Sequence, residues 1–289
     1  MSKDSNFVIE NPWHKLSEFT DARIGLGRAG VSVPTRHLLE FQLAHAKAQD
    51  AVHLALNIHG LSDTLKNAQA AQSLLNNQLP QDVPPFNLHS QAVDRPTYLQ
   101  RPDLGRRLDE ASVNQLKAFK SNHQQSDIED SFDLAIVVAD GLSSVAIEDN
   151  CMPFLNAVTL AMKELGEPWK LAPITIVEQG RVAIGDEVGE LLNANAALVM
   201  IGERPGLSSP DSMGLYLTWA PKVGTLDSSR NCISNVRPAG LNYDAAARKL
   251  IYLLSESRRR KLTGVGLKER SEENEHQVLN EERKNFLLE

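Results

Sequence analysis

Apolar positions recur along this chain with two different periods, and the change falls near residue 130. Before it, the spacing is helical. Pro34 is pre-set for a first helical turn, and Leu38, Phe41, Ala44, Ala48, Ala51 and Val52 follow at helical intervals. This predicts one amphipathic helix over 34–56. Ser62 reads as the cap of a second helix carrying Leu65, Ala68 and Leu75 on one stripe. Residues 76–96, rich in Asn, Gln and Pro, predict a loop. The polar stretch Ser121 to Asp130 has no apolar period, which sets a boundary between a helical domain over 1–125 and a second domain over 126–268.

From Phe132 the pattern becomes that of buried strands. The near-continuous run Asp133 to Ala139 is what a parallel strand covered on both faces requires. A helix over 149–165 follows, with Gly166 as its stop. Then come a strand over 174–177, a short helix over 186–193, a strand over 197–201, a fourth strand over 215–219 and a helix over 242–262. Arg258, Arg259, Arg260 and Lys261 in its last turn suit the negative end of the helix dipole. Strands alternating with helices predict an α/β fold: a Rossmann-like parallel sheet with helices on both faces, after a mostly helical N-terminal part. Ligands bind beyond the carboxyl ends of such strands. That selects the loops 140–144, 178–185 and 203–212.

Composition narrows the function classes. With 30 Lys and Arg against 37 Asp and Glu among 289 residues, the net charge is −7. This argues against nucleic acid as a partner of the whole chain. No apolar run approaches the roughly 18 residues of a membrane span. Two cysteines, Cys151 and Cys232, are too few for a structural zinc site or a disulfide framework. Residues 2–6 lead into no signal-like apolar segment, so a cytoplasmic compartment is expected, with both thiols free.

Several local patterns carry possible chemistry. Gly25-Leu26-Gly27-Arg28-Ala29-Gly30 matches the dinucleotide fingerprint G-x-G-x-x-G. That fingerprint works only between a strand and a helix N-terminus. Glu18 to Ile24 is too polar for a buried strand, and the helix starts at Pro34 rather than at the third glycine. An NAD-dependent dehydrogenase is the alternative this pattern raises. His37, His45 and His53 lie eight residues apart, roughly 80° out of register on a helix, so they do not form a metal pair. His45 falls near the apolar stripe and is expected to be buried. No G-x-S-x-G elbow is present. Arg101, Arg106 and Arg107 form a basic cluster, read either as local ion pairs or as an anion-binding contact of a non-catalytic module. Glu203 and Cys232 could each be structural or ligand-facing.

Longer motifs are more specific. Asp21 to Gly30, Pro34-Thr35-Arg36, Gln42 to Ala46 and Tyr98 to Leu108 resemble the small (light) subunit of ethanolamine ammonia-lyase. So do Val177 to Asp186, Ile201 to Asp211, Arg230 to Asn235 and Gly264 to Lys268, and the resemblance spans about residues 10–268. It implies a carbon–nitrogen lyase that turns ethanolamine, and similar vicinal amino alcohols, into acetaldehyde and ammonia. The radical mechanism starts from homolysis of the cobalt–carbon bond of adenosylcobalamin. The resemblance implies that substrate chemistry sits in the barrel of a large subunit, with no catalytic residue on this chain. This chain would cover the corrin at the interface between the two, contacting cobalamin through Val182, Glu203 and Cys232. A hetero-oligomer with six copies of each chain is the expectation. No Asp-x-His-x-x-Gly signature occurs, so cobalt is expected to keep the cofactor's own dimethylbenzimidazole rather than a histidine of this chain. Many members carry a longer N-terminal extension tied to packaging in bacterial microcompartments. About 20 residues precede the first strong motif here, which weighs against packaging. The charged tail 269–289 lies beyond the usual family end and reads as a frayed helix or a disordered segment.

Overall fold

The computed structural model describes residues 7–20, 22–70, 75, 79–80, 83–123 and 131–268. Two short strands, β1 (Val8–Ile9) and β2 (Arg28–Ala29), pair antiparallel near the N-terminus. Helices α1 (Thr35–His53) and α2 (Ile58–Ala70) follow. Then come β3 (Phe86–His89), α3 (Arg95–Gln100) and α4 (Glu110–His123). Strands and helices alternate through β4 (Phe132–Ala139), α5 (Ser144–Leu165), β5 (Thr175–Glu178), α6 (Ile184–Leu191) and β6 (Ala194–Gly202). The chain continues through β7 (Met213–Trp219), β8 (Arg230–Val236) and α7 (Tyr243–Arg260).

Six strands form one sheet in the order β3-β5-β4-β6-β7-β8. The first four in that order are mutually parallel, as expected, but β7 runs antiparallel to both of its neighbours, β6 and β8. The expectation of a fully parallel sheet is corrected there for a geometric reason. A parallel return needs a crossover of about a dozen residues or more. The link between Gly202 and Met213 is shorter than that and holds no helix, so β7 folds straight back along β6.

Alternation along the strands feeds two cores. Leu134, Ile136 and Val138 of β4 face one layer with Leu198, Leu215 and Ile233, covered by α2, α5 and α7. Ala135, Val137 and Ala139 face the other, with Val177, Val199 and Ile201, under Ile184 and Val188 of α6 and Leu116 of α4. Because the side-chain period is two, a one-residue slip would exchange these sets, so burial on both faces fixes the register.

Several predicted elements shift. Helix α1 stops at His53, short of 56, because Ser144 donates to the Leu54 carbonyl and Glu148 accepts the Asn57 N–H, holding the link extended. Helix α2 begins at Ile58, so Ser62 is inside it. The cap is Asn57, whose side-chain oxygen accepts the Gly60 N–H. Leu75 is buried but lies beyond the helix in a left-handed conformation. The predicted loop 76–96 contains β3, which pairs with β5, so the sheet draws an edge strand from before residue 126. Pro84 and Pro85 directly precede it, a position open to proline at an edge. Helix α5 starts at Ser144 rather than 149, because the Ser143 hydroxyl caps it by accepting the Ala146 N–H. Gly166 ends it in the left-handed region, as predicted. His45, expected to be buried, is exposed, and His37 is the buried histidine of α1. Most of the polar stretch proposed as the boundary, and the whole tail 269–289, lie outside the described residues.

Candidate functional site

The carboxyl ends of β4, β5 and β6 meet at one edge, and a buried network holds the loops there. Asp140, at the end of β4, accepts the N–H groups of Gln179 and Gly180 on its two carboxylate oxygens, both at 3.0 Å. Gln179 adopts a left-handed backbone (φ 53°), a conformation that a side chain tolerates only when its surroundings impose it. Arg95 lies 3.6 Å from Asp140 and donates to the Gly141 carbonyl at 2.8 Å and to Gln179 Oε1 at 3.2 Å. Burial pushes the Asp140 carboxyl up to about 6, against the opposing pull of those N–H groups and of Arg95. Tyr98 is fully buried between two guanidiniums, Arg181 at 4.1 Å and Arg95 at 4.8 Å from its ring centre. Its hydroxyl donates to the Gly180 carbonyl. The segment leading to Val182 is therefore gripped from below and behind.

Beside this network, part of one sheet face is open. Helix α6 is only eight residues long and lies over β4 and β6. Beyond it on the same face Thr218 is covered by Arg230, whereas Tyr216 is half-buried and Cys232 exposed. Cys232 and Tyr216 sit opposite each other there, as partners in the β7–β8 ladder. Between this face, the approach to α6 and the turn at 102–106 lies a cleft of about 340 Å³. Val182 and Cys232 both line it, with Arg106, Arg181, Tyr216 and Asp227. Beneath it, Arg230 at the start of β8 is paired with Asp186 of α6.

Glu203 does not line this cleft but stands next to it. It follows β6, and its Oε2 accepts the Ser212 hydroxyl and the Asn235 N–H. Its carboxylate lies over Gly214: a Cβ placed on that glycine would stand 2.9 Å from Glu203 Oε1 and 3.2 Å from the Tyr216 ring. Glu203, Tyr216 and Cys232 thus run across one face. Desolvation raises the Tyr216 hydroxyl, reinforced by Cys232 and Glu203. It also raises the Cys232 thiol, so the sulfur stays protonated at neutral pH and offers a weak donor rather than a nucleophile.

The three residues singled out from sequence therefore fall in one neighbourhood, with two in a single cleft. Cys232 reaches it from within β8, a strand that the sequence pattern between 219 and 242 did not predict. Tyr216, Gly214 and the Arg230–Asp186 pair were missed. The strand pattern around 215–219 gave no sign that one face would be left open.

Other sequence patterns resolve differently. Arg101 pairs with Asp103 on the surface, and Arg107 makes a two-pronged pair with Glu187. Only Arg106 of that cluster turns to the cleft. Gly25 and Gly27 have positive φ, and a Cβ at either would strike the chain's own backbone, at His14 N and Ile9 O. These glycines serve close packing of the N-terminal segment, with no strand-to-helix turn for a pyrophosphate. Among the described residues, no group of three or more His, Cys, Asp or Glu is arranged to hold a metal ion, and no helix is long and apolar enough to cross a membrane.

A cleft with a mixed charged, polar and small apolar lining, beside the carboxyl ends of the parallel strands, defines a mixed α/β protein with a candidate ligand site. Residues 10–268 match the family described as ethanolamine ammonia-lyase light chain (EutC). The chain is 53% identical over 263 residues to the ethanolamine ammonia-lyase small subunit of Pseudomonas aeruginosa (strain LESB58), covering 91% of this chain and 89% of that one. It is 51% identical to the small subunits of Azotobacter vinelandii, with 93% and 92% covered, and Ralstonia nicotianae, with 97% and 96% covered. The chain belongs to the ethanolamine ammonia-lyase small-subunit family and is a subunit of a lyase.

Proposed function

We propose that this chain binds adenosylcobalamin on the open β7–β8 face and closes it against the large subunit of ethanolamine ammonia-lyase. Together the two chains convert ethanolamine to acetaldehyde and ammonia. The observation that carries this reading is that Val182 and Cys232 line one cleft with Tyr216, while Glu203 stands next to it over Gly214. A corrin is broad and edged with amide side chains, so it needs flat surface with scattered acceptors and donors. Gly214 supplies the flatness, since a side chain there would fill the space in front of Glu203. When bound, the cofactor supplies the radical by homolysis of its cobalt–carbon bond.

The protein's own residues bind and orient. Glu203 Oε2 is occupied by Ser212 and Asn235, which leaves Oε1 to accept an amide N–H. Val182 lies on the approach to α6 and offers backbone and a small apolar side chain. The protonated Cys232 thiol adds a weak contact beside Tyr216. Among the described residues no histidine lines the cleft, so this chain would touch the corrin rim and leave the cobalt to other ligands. The large subunit would supply the substrate site.

Hydroxocobalamin titrated into the assembled complex tests the reading. Glu203→Ala is expected to weaken binding about tenfold, the worth of one charge-assisted hydrogen bond, with little change in melting temperature. Unchanged affinity removes Glu203 from the site. Absence of cobalamin binding by the wild-type complex overturns the whole reading.

A further inference from the structure

The N-terminal part of the chain is folded but almost uncovered. Of the 19 residues of α1, only His37 and Ala51 are buried. Among the described residues, twelve of the eighteen exposed large hydrophobic side chains fall between Phe7 and Leu43. They include Phe7 at 84% exposure, Trp13 at 68%, Phe19 at 78% and Val31 at 107%. On α1 itself, Leu39 and Leu43 stand one turn apart on the same face, at 59% and 58%. Soluble monomers rarely show apolar patches this extended unless they are interaction sites.

Local structure alone does not account for the segment. Its strands are two residues each, and a helix of this length draws most of its stability from packing an apolar face. The body of the protein holds α1 near its C-terminal end, where Arg95 bonds the Val52 carbonyl and Ser144 bonds the Leu54 carbonyl. Residues 7–43 number 37, comfortably the 20–30 residues that one side of a standard interface uses.

We infer that residues 7–43 form a docking arm for the large subunit, continuous with the cofactor-binding face. The inference rests on the proposed function above. Its occupant is argued from position: Arg23 of the arm donates to the Leu207 carbonyl. Leu207 lies in the loop that starts at Glu203, so the arm borders the rim of the open face. A partner that closes that face meets the arm as part of the same surface. Arg23 and Arg36 flank a cleft of about 440 Å³ within the arm, alongside His14 and Glu40, and it gives the partner's polar groups a place inside an otherwise apolar contact. A second copy of this chain is the competing occupant.

The test uses the full chain carrying Leu39→Asp and Leu43→Asp, mixed with an ethanolamine ammonia-lyase large subunit. Both positions are exposed, so the isolated variant is expected to keep the wild-type melting curve. Association measured by sedimentation velocity is expected to weaken at least tenfold. Leu160→Asp, an equally exposed apolar position on α5, is expected to leave it unchanged. Hydrogen exchange on the wild-type chain provides a second measure that needs no variant: amides of 35–50 should gain protection when the large subunit is added. Wild-type association of the double variant overturns the inference. So does an effect confined to self-association of the small chain, which would assign the arm to a second copy. Failure of the wild-type chain itself to associate counts against the proposed function, and the two failures are thereby told apart.

Discussion

Arg230 and Asp186 form a two-pronged ion pair, at 2.5 and 2.7 Å, with side chains only 3% and 2% exposed. The pair joins the first residue of β8 to the first turn of α6. It therefore fixes the strand that carries Cys232 against the helix that Val182 leads into. Thr218 and the Thr225 carbonyl satisfy further N–H groups of the guanidinium. Removing one partner leaves a buried charge, which costs about 3–5 kcal/mol, whereas replacing both with apolar groups is often near neutral. Arg230→Met is thus expected to lower unfolding free energy in urea by about that much. The double variant Asp186→Leu with Arg230→Met should recover most of the loss. A single variant within about 1 kcal/mol of wild type would show that the pair does not hold this junction.

Gly214 separates folding from binding. An added methyl meets the movable end of Glu203 and the edge of Tyr216 rather than rigid backbone. Gly214→Ala should therefore fold, shift Glu203 aside and weaken hydroxocobalamin binding about as much as Glu203→Ala does, about tenfold. The two changes together should cost little more than either alone, because both act on one contact. Full additivity would place Gly214 and Glu203 in separate roles.

Asp140 gives a dependence on pH with a defined sign. Its carboxyl titrates at 3.8 in the unfolded chain and at about 6 in the folded one, raised by burial. The folded state holds the proton more tightly, so this group's contribution is fully present below 3.8 and is lost as pH rises through 6. The loss is about 3 kcal/mol across that window. The unfolding free energy of wild type relative to Asp140→Asn should accordingly fall between pH 4 and pH 7. A difference that stays flat or climbs over that range contradicts the assignment.

How far the fold was legible follows from which elements carry their own signal. Strand β4 is apolar on both faces and reads directly, as do Gly166 at the end of α5 and Asn242 at the start of α7. Strand β8 does not. Its polar residues look like a loop: Cys232 lies on the open face of that edge strand, which makes it a candidate site residue, while Asn231 on the opposite face bonds the Gly264 and Leu267 carbonyls. Strand β3 is four residues long, follows two prolines and depends on β5 for its hydrogen bonds. In α1 the apolar spacing is real, but Leu38 and Phe41 stay exposed, so the stripe does not feed an inner core of this chain. The site residues came from family motifs. Spacing alone selected the loops holding Val182 and Glu203, and it could not have foreseen Tyr216 or Arg230, which reach the cleft through strand pairing.

The most direct measurement is acetaldehyde release from ethanolamine and adenosylcobalamin, with this chain and an ethanolamine ammonia-lyase large subunit added separately and together. Turnover is expected only when both chains are present. No turnover with a competent large subunit, or turnover from this chain alone, would contradict its role as the cobalamin-covering subunit.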